Sequence, residues 1–171
     1  VGQGRGRVVL QTFETASLKE LQKEMPNTPK ILLLWVGEGS IEPKSKVTFA
    51  ESGETTKAAY YAKQEPKDAA EFEKWVDEAK SLGAIGTGPS AELTDHGDQS
   101  YTDLVKPEMN KLTHDKGLLV HVYTVDEPVD FEKVMKAGVD GIFTNRAAEL
   151  LKFYKRWPSS SVQDLLNDHK Y

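Results

Sequence analysis

Four histidines, His96, His114, His121 and His169, are the side chains of this sequence that titrate near neutral pH, and it contains no Cys. Metal ligands on a helix need i, i+3 or i, i+4 spacing. The histidines instead fall in a predicted loop, helix, strand and tail, so no metal site is read from them. Thiolate sites and Cys nucleophiles are excluded outright. The other polar and aromatic groups gather at the ends of predicted strands: Phe13-Glu14, Trp35-Val36, Thr87-Gly88-Pro89, Tyr123-Thr124-Val125-Asp126 and Phe143-Thr144-Asn145-Arg146. Rings, hydroxyls and amides of this kind suit a partly apolar pocket for a small hydroxylated ligand. They do not form a catalyst, because hydrolysis needs a poised proton-transfer group and a means of stabilising developing charge. His121 shares a strand face with Tyr123, and a core role ranks ahead of a catalytic one. Asn145-Arg146 has two readings, an anion contact at a helix start or a simple cap. Gly2-Gln3-Gly4-Arg5-Gly6 precedes a strand, whereas phosphate loops lie between a strand and a helix, so it reads as a lead-in.

The elements that position these residues follow from pattern. Val8–Phe13 reads as a strand, Ser17 with Glu20 as a capping box, and Leu18, Leu21 and Met25 as the apolar side of a helix ended by Pro26. Ile31–Val36 is a continuous apolar run, as expected of a strand covered on both faces. Residues 37–66 turn polar and read as a surface insertion with a helical piece near Ala58–Lys63. Phe72, Trp75, Val76, Ala79 and Leu82 mark one buried helix face, stopped by Gly83. Ala84–Thr87 reads as a short strand entering a Gly88-Pro89 turn, with two glycines that permit close approach of a backbone or ligand. A helix over 102–116, a strand over 118–125, a helix from Pro128 to Gly138, a strand over 139–144 and a helix through Trp157 complete the pattern, with a polar tail over 158–171.

Alternating strands and helices across short turns predict an α/β fold with a parallel sheet, either open or closed into a barrel. At 171 residues the chain is short for a complete eight-unit barrel, which takes roughly 250. With 22 basic and 27 acidic residues its formal net charge is −5, so the cationic footprint of nucleic-acid binding is missing. No apolar run reaches the roughly 18 residues of a membrane span, so the expectation is a soluble chain. Val1–Arg7 has neither an apolar signal segment nor an initiator Met, which reads as processing or cutting. The lack of Cys leaves the compartment open, with a periplasmic or secreted location favoured over the cytoplasm.

Four segments in order carry a resemblance: Val9-Leu10-Gln11-Thr12-Phe13-Glu14 with Ser17-Leu18, then Ile85-Gly86-Thr87-Gly88-Pro89, then Val120-His121-Val122-Tyr123-Thr124-Val125-Asp126, then Gly138-Val139-Asp140-Gly141-Ile142-Phe143-Thr144-Asn145. They resemble the C-terminal half of a glycerophosphodiester phosphodiesterase over residues 7–157, outside the 37–66 insertion. The resemblance implies the C-terminal part of a TIM-type (β/α)8 barrel of the phospholipase C-like phosphodiesterase class. It also implies metal-dependent hydrolysis of glycerophosphodiesters to glycerol 3-phosphate and an alcohol, in lipid and glycerol metabolism. Phe13, Tyr123 and Phe143 would line the wall around the glycerol group, with Gln11, Thr124 and Asn145 beside them as further substrate-binding residues.

The family's His-Arg-Gly, Glu-x-Asp, His-Asp and Glu-x-Lys motifs, the last on the fourth strand, do not occur here. By resemblance they supply the acid/base histidines, the ligands of a calcium or magnesium ion and the phosphate-facing cations. No catalytic or metal-binding residue is therefore assigned in this chain. Thr124-Val125-Asp126 stands where members often have Thr-Val-Asn, which argues against a direct polar role for Asp126. A sheet cut after its fourth strand exposes edge groups and an apolar face, which predicts an unstable fragment unless something covers them. Three explanations follow, in this order: the rest was lost, a second chain completes the barrel, or a shortened protein pairs with itself. The expectation is an inactive segment of an enzyme whose partner is a small glycerophosphodiester. The alternative is a non-catalytic half-barrel that binds a ligand or self-associates.

Overall fold

The structure is a computed structural model and describes residues 8–36, 47–93, 103–156 and 167. Its first unit is β1 (Leu10–Thr12), α1 (Thr15–Glu24) and β2 (Lys30–Leu34). Two short helices, α2 (Phe49–Ser52) and α3 (Lys57–Ala62), and the longer α4 (Ala69–Ser81) lead to β3 (Gly86–Pro89). Then come α5 (Pro107–Asp115), β4 (Leu119–Val122), α6 (Pro128–Lys136), β5 (Gly141–Ile142) and α7 (Ala147–Phe153). The five strands form one sheet in chain order, and every pairing is parallel. That is the expected α/β architecture.

Register divides the sheet into two faces. Gln11 pairs with Ile31, Ile31 with Gly86 and Gly86 with Leu119, while His121 pairs with Gly141. Period-2 alternation then places Gln11, Phe13, Ile31, Leu33, Trp35, Gly86, Gly88, Leu119, His121, Tyr123, Gly141 and Phe143 on the face away from the helices. Leu32, Leu34 and Val36 lie on the opposite face, in one core with Leu18 of α1 and Phe72, Trp75, Val76 and Ala79 of α4. A second core joins Val122 and Val125 to Phe131 and Val134 of α6.

Several boundaries differ from the sequence reading, each for a physical reason. Helix α1 starts at Thr15 with Glu14 as its cap residue and no side-chain cap bond, so Ser17 and Glu20 lie inside it. Thr12 Oγ1 accepts the Glu14 N–H at 3.1 Å instead. Strand β3 sits two residues later than its pattern suggests, because Gly86 and Gly88 are what let it fit. A Cβ on Gly86 would lie 2.6 Å from the Leu119 carbonyl oxygen, and one on Gly88 2.4 Å from Leu33 Cδ2. The close approach inferred from these glycines is therefore made by neighbouring strands. Pro89 has no N–H for the ladder, and Ser90 N–H donates to the Leu34 oxygen at 3.0 Å.

Helix α5 begins at Pro107, its first-turn position, so Leu104 and Val105 are buried loop residues. The segment read as a surface insertion contributes to the core, since Tyr61 of α3 packs among Leu34, Val36 and Phe72 and is 3% exposed. Helix α4 matches its reading: Asp68 accepts the Glu71 N–H at 2.8 Å, and Gly83 follows at φ 80°. Gly2–Gly6, His96, Trp157, His169 and the tail apart from Asn167 lie outside the described residues.

Candidate functional site at the carboxyl edge of the sheet

In parallel α/β sheets the loops after the strands hold the site, because the strand ends converge there on one side. Three rings meet at this edge. Phe13, just after β1, contacts Trp35 after β2 at 6.3 Å between centroids, and Tyr123 after β4 at 5.8 Å. The interplanar angles of 64° and 86° are edge-to-face arrangements, the favourable geometry for aromatic quadrupoles. Tyr123 is fixed at its far end as well, its hydroxyl donating to the Leu34 carbonyl at 3.1 Å. Burial pushes the Tyr123 phenol well above its ordinary pKa, and the nearby Ser90 hydroxyl offsets only part of this. Tyr123 is thus a neutral, anchored member of the ring cluster.

Phe143 stands on the same sheet face but joins a different partner, with its ring 6.2 Å from that of His121. His121 lies over Gly141, where a Cβ would come within 2.9 Å of its ring. Burial lowers the His121 pKa, against an opposing pull from the Asp140 carboxylate. The imidazole is therefore a mostly neutral packing partner of Phe143 near pH 7. Of the three aromatic residues assigned to one wall, the structure brings Phe13 and Tyr123 together and sets Phe143 beside His121. Trp35, noted in the sequence only as a strand end, is the third member of the ring cluster. Its register two positions beyond Leu33 is the signal that identifies it.

The polar candidates divide further. Gln11 lines a groove of about 580 Å³ between the free side of β1 and α1, with Thr12, Ala16, Ser17 and Glu20. Thr124 follows a cis peptide bond after Tyr123 and is half-buried. Asn145 is turned toward Asp126: its amide donates to Oδ2 at 2.9 Å and its N–H to Oδ1 at 2.7 Å. Thr144 Oγ1 donates to the same Oδ1 at 2.8 Å. Burial raises the Asp126 pKa, but the Asn145 and Thr144 donors outweigh it and hold the carboxyl below its ordinary value. Asp126 thus ties the loop after β4 to the loop after β5, a role that its chemistry permits and its sequence position did not reveal. Arg146 pairs with Glu127 at 2.6 Å, so its charge serves the same junction.

A resident divalent cation needs several oxygen or imidazole ligands converging on one point. Among the described residues no group of three or more His, Asp or Glu side chains meets that condition, and the Asp126 oxygens are already occupied by donors. The residues described here do not fit such a cation.

A parallel sheet with helices on one face and an aromatic-lined carboxyl edge is the class of a TIM-type barrel, of which these five strands form a part. The model of the glycerophosphoryl diester phosphodiesterase family matches residues 2–149, and the chain belongs to that family. A glycerophosphodiester phosphodiesterase of Bacillus subtilis (strain 168) is 26% identical over 140 residues, covering 82% of this chain and 34% of its own length. A putative glycerophosphoryl diester phosphodiesterase of Silicibacter pomeroyi DSS-3 superposes with a TM-score of 0.54 at 24% identity, over 89% of this chain and 40% of its own. A glycerophosphodiester phosphodiesterase of Parabacteroides distasonis ATCC 8503 gives a TM-score of 0.48 at 21% identity, over 85% and 42%. The chain thus spans about a third of the curated relative it matches.

Proposed function

We propose that this chain supplies part of the substrate wall of a phosphoric diester hydrolase that cleaves glycerophosphodiesters to glycerol 3-phosphate and an alcohol. The observation that carries the reading is the Phe13–Trp35–Tyr123 cluster at the carboxyl edge of a parallel sheet, in a chain of this family. The rings offer apolar contact to the carbon skeleton of a glycerol group and exclude water beside the scissile phosphate. The fixed Tyr123 ring does this without loss of side-chain freedom on binding. Proton transfer and a calcium or magnesium site belong, in this reading, to other polypeptide of the complete barrel. The lack of Cys keeps a periplasmic or secreted location as part of the same proposal.

A second reading is favoured by the open sheet face, where Phe13, Leu119 and Phe143 are all exposed. A half-barrel of this kind would cover that face with a second copy and carry out no turnover. Titration of glycerol 3-phosphate into the 171-residue chain, followed by tryptophan fluorescence, separates the two. The wall reading expects saturable binding that Phe13→Ala weakens by about 1–3 kcal/mol. Phe143→Ala should weaken it less, since its ring lies against His121. Equal affinity in wild type and Phe13→Ala would remove the cluster from the pocket, and self-association without ligand binding would favour the second reading.

A further inference from the structure

One titratable side chain of the open sheet face packs without satisfying its own hydrogen bonds. His121 is half-buried in β4, and neither ring nitrogen has a hydrogen-bond partner among the described residues. The strands on both sides are bare at its level. Gly141 lies under the imidazole, and Gly88 backs onto the His121 main chain, where a Cβ would stand 3.2 Å from its carbonyl oxygen. What flanks the ring is apolar: Leu33, leaning over Gly88, and Phe143. The carboxylate that acts on His121, that of Asp140, is engaged elsewhere, with His114 Nε2 and the Val120 N–H at 2.8 Å each. The other polar side chains of this face are committed or set apart. The Tyr123 hydroxyl donates to the Leu34 carbonyl, Ser90 Oγ is enclosed beside Tyr123, and Gln11 lies at the free side of β1. By register His121 shares a level with Phe13 and Leu33, one step below Trp35, Tyr123 and Phe143. It therefore forms part of the floor beneath the ring cluster.

We infer that His121 is a specificity-determining residue of the ring site, hydrogen-bonding a hydroxyl of the ligand's glycerol group. The inference rests on the wall reading above and adds the polar contact that the rings cannot make. A neutral imidazole carries one donor and one acceptor, and a hydroxyl meets either of them, whereas a phosphate oxygen only accepts. Phosphate would also call for a cation, and the inward residues of the five strands include no Lys or Arg. A packing role alone does not account for the side chain. A ligand seated against the rings would take both ring nitrogens out of water, at a cost that Phe or Leu at this position would not incur.

The test compares two ligands of the 171-residue chain by tryptophan fluorescence. One is glycerol 3-phosphate; the other is propyl phosphate, which keeps the carbon skeleton and the phosphate and lacks both hydroxyls. Wild type should bind the first about three- to tenfold more tightly. His121→Phe keeps a ring beside Phe143 and removes both nitrogens, so it should bind the two ligands alike, with its affinity for propyl phosphate unchanged. His121→Asn restores a donor and an acceptor and should recover part of the preference. The wild-type imidazole gives a second readout that needs no variant: glycerol 3-phosphate should shift the His121 ring nitrogen resonances, assigned through bonds, along the same saturation curve as the fluorescence. The inference is overturned, with the wall reading left standing, if wild type shows no preference, if His121→Phe keeps it, or if the ring resonances stay in place while the fluorescence saturates. A chain that binds neither ligand overturns both.

Discussion

Removing the carboxylate of Asp126 should loosen the junction of the last two strands more than any other single polar substitution near the site. The side chain is 9% exposed and accepts three hydrogen bonds, from Thr144 Oγ1, Asn145 N–H and the Asn145 amide, at 2.8, 2.7 and 2.9 Å. Asp126→Ala removes the acceptor of all three donors, two of which lie on exposed Asn145 and can turn to water. A hydrogen bond to a charged acceptor contributes about 1.5–3 kcal/mol, and the three share one carboxylate with water as a partial substitute, so the loss is expected at about 2–3 kcal/mol rather than their sum. Asp126→Asn keeps one carbonyl oxygen for the Asn145 N–H and Thr144 hydroxyl, and a rotated Asn145 amide can meet the new NH2. It should cost only about 1 kcal/mol.

The two variants should also differ in pH dependence. The folded-state pKa of Asp126 lies below its unfolded value, so this contribution is complete above the unfolded pKa and is lost as pH falls through the folded one. As pH falls below the ordinary carboxylate range, at about 4, wild type should therefore lose stability that Asp126→Asn does not lose. Urea denaturation followed by circular dichroism at a series of pH values measures both effects. If Asp126→Ala lies within about 0.5 kcal/mol of wild type, or if wild type and Asp126→Asn have parallel stability–pH curves, the carboxylate does not hold the loops together.

Two further perturbations probe how the strands are held. Lys30 is 1% exposed and its ammonium donates to the Met25 and Thr28 carbonyls at 2.7 Å each, so Lys30→Met should lower stability by about 1–3 kcal/mol in urea melts; an unchanged midpoint would show that water replaces it without cost. Gly86→Ala should cost about 1–3 kcal/mol or more, because the new Cβ meets the Leu119 main chain at 2.6 Å and a backbone cannot rotate away as a side chain can; a neutral result would mean that β3 and β4 separate easily.

How much of this was legible in the sequence depended on which forces decide each element. The Ile31–Val36 run announced β2, observed as Lys30–Leu34, because a strand covered on both faces needs apolar residues at every position. The α4 face and its Gly83 stop were readable because helical period and a helix-ending glycine are local signals. Strand β3 was misplaced by two residues, since Gly88-Pro89 has turn chemistry locally and becomes strand only by pairing with Leu33-Leu34 of β2. Tyr61 looked like a surface residue in a polar stretch, and only the core it enters makes it structural. The aromatic site was half legible. The resemblance assigned Phe13, Tyr123 and Phe143 to one wall, but which rings touch depends on strand spacing, and that put Trp35 in the cluster and Phe143 with His121. Asp126 was read as a residue without a direct polar role at the ligand, while its donors come from residues 18 and 19 positions away, beyond any local pattern.

The most direct test of the central claim is hydrolysis of a glycerophosphodiester by the purified 171-residue chain, with calcium or magnesium added and intact mass checked in the same sample. A chain that binds glycerol 3-phosphate yet releases none from the diester is the predicted result. Turnover by this chain alone, abolished by a chelator, would contradict the account and place the catalytic groups within these 171 residues.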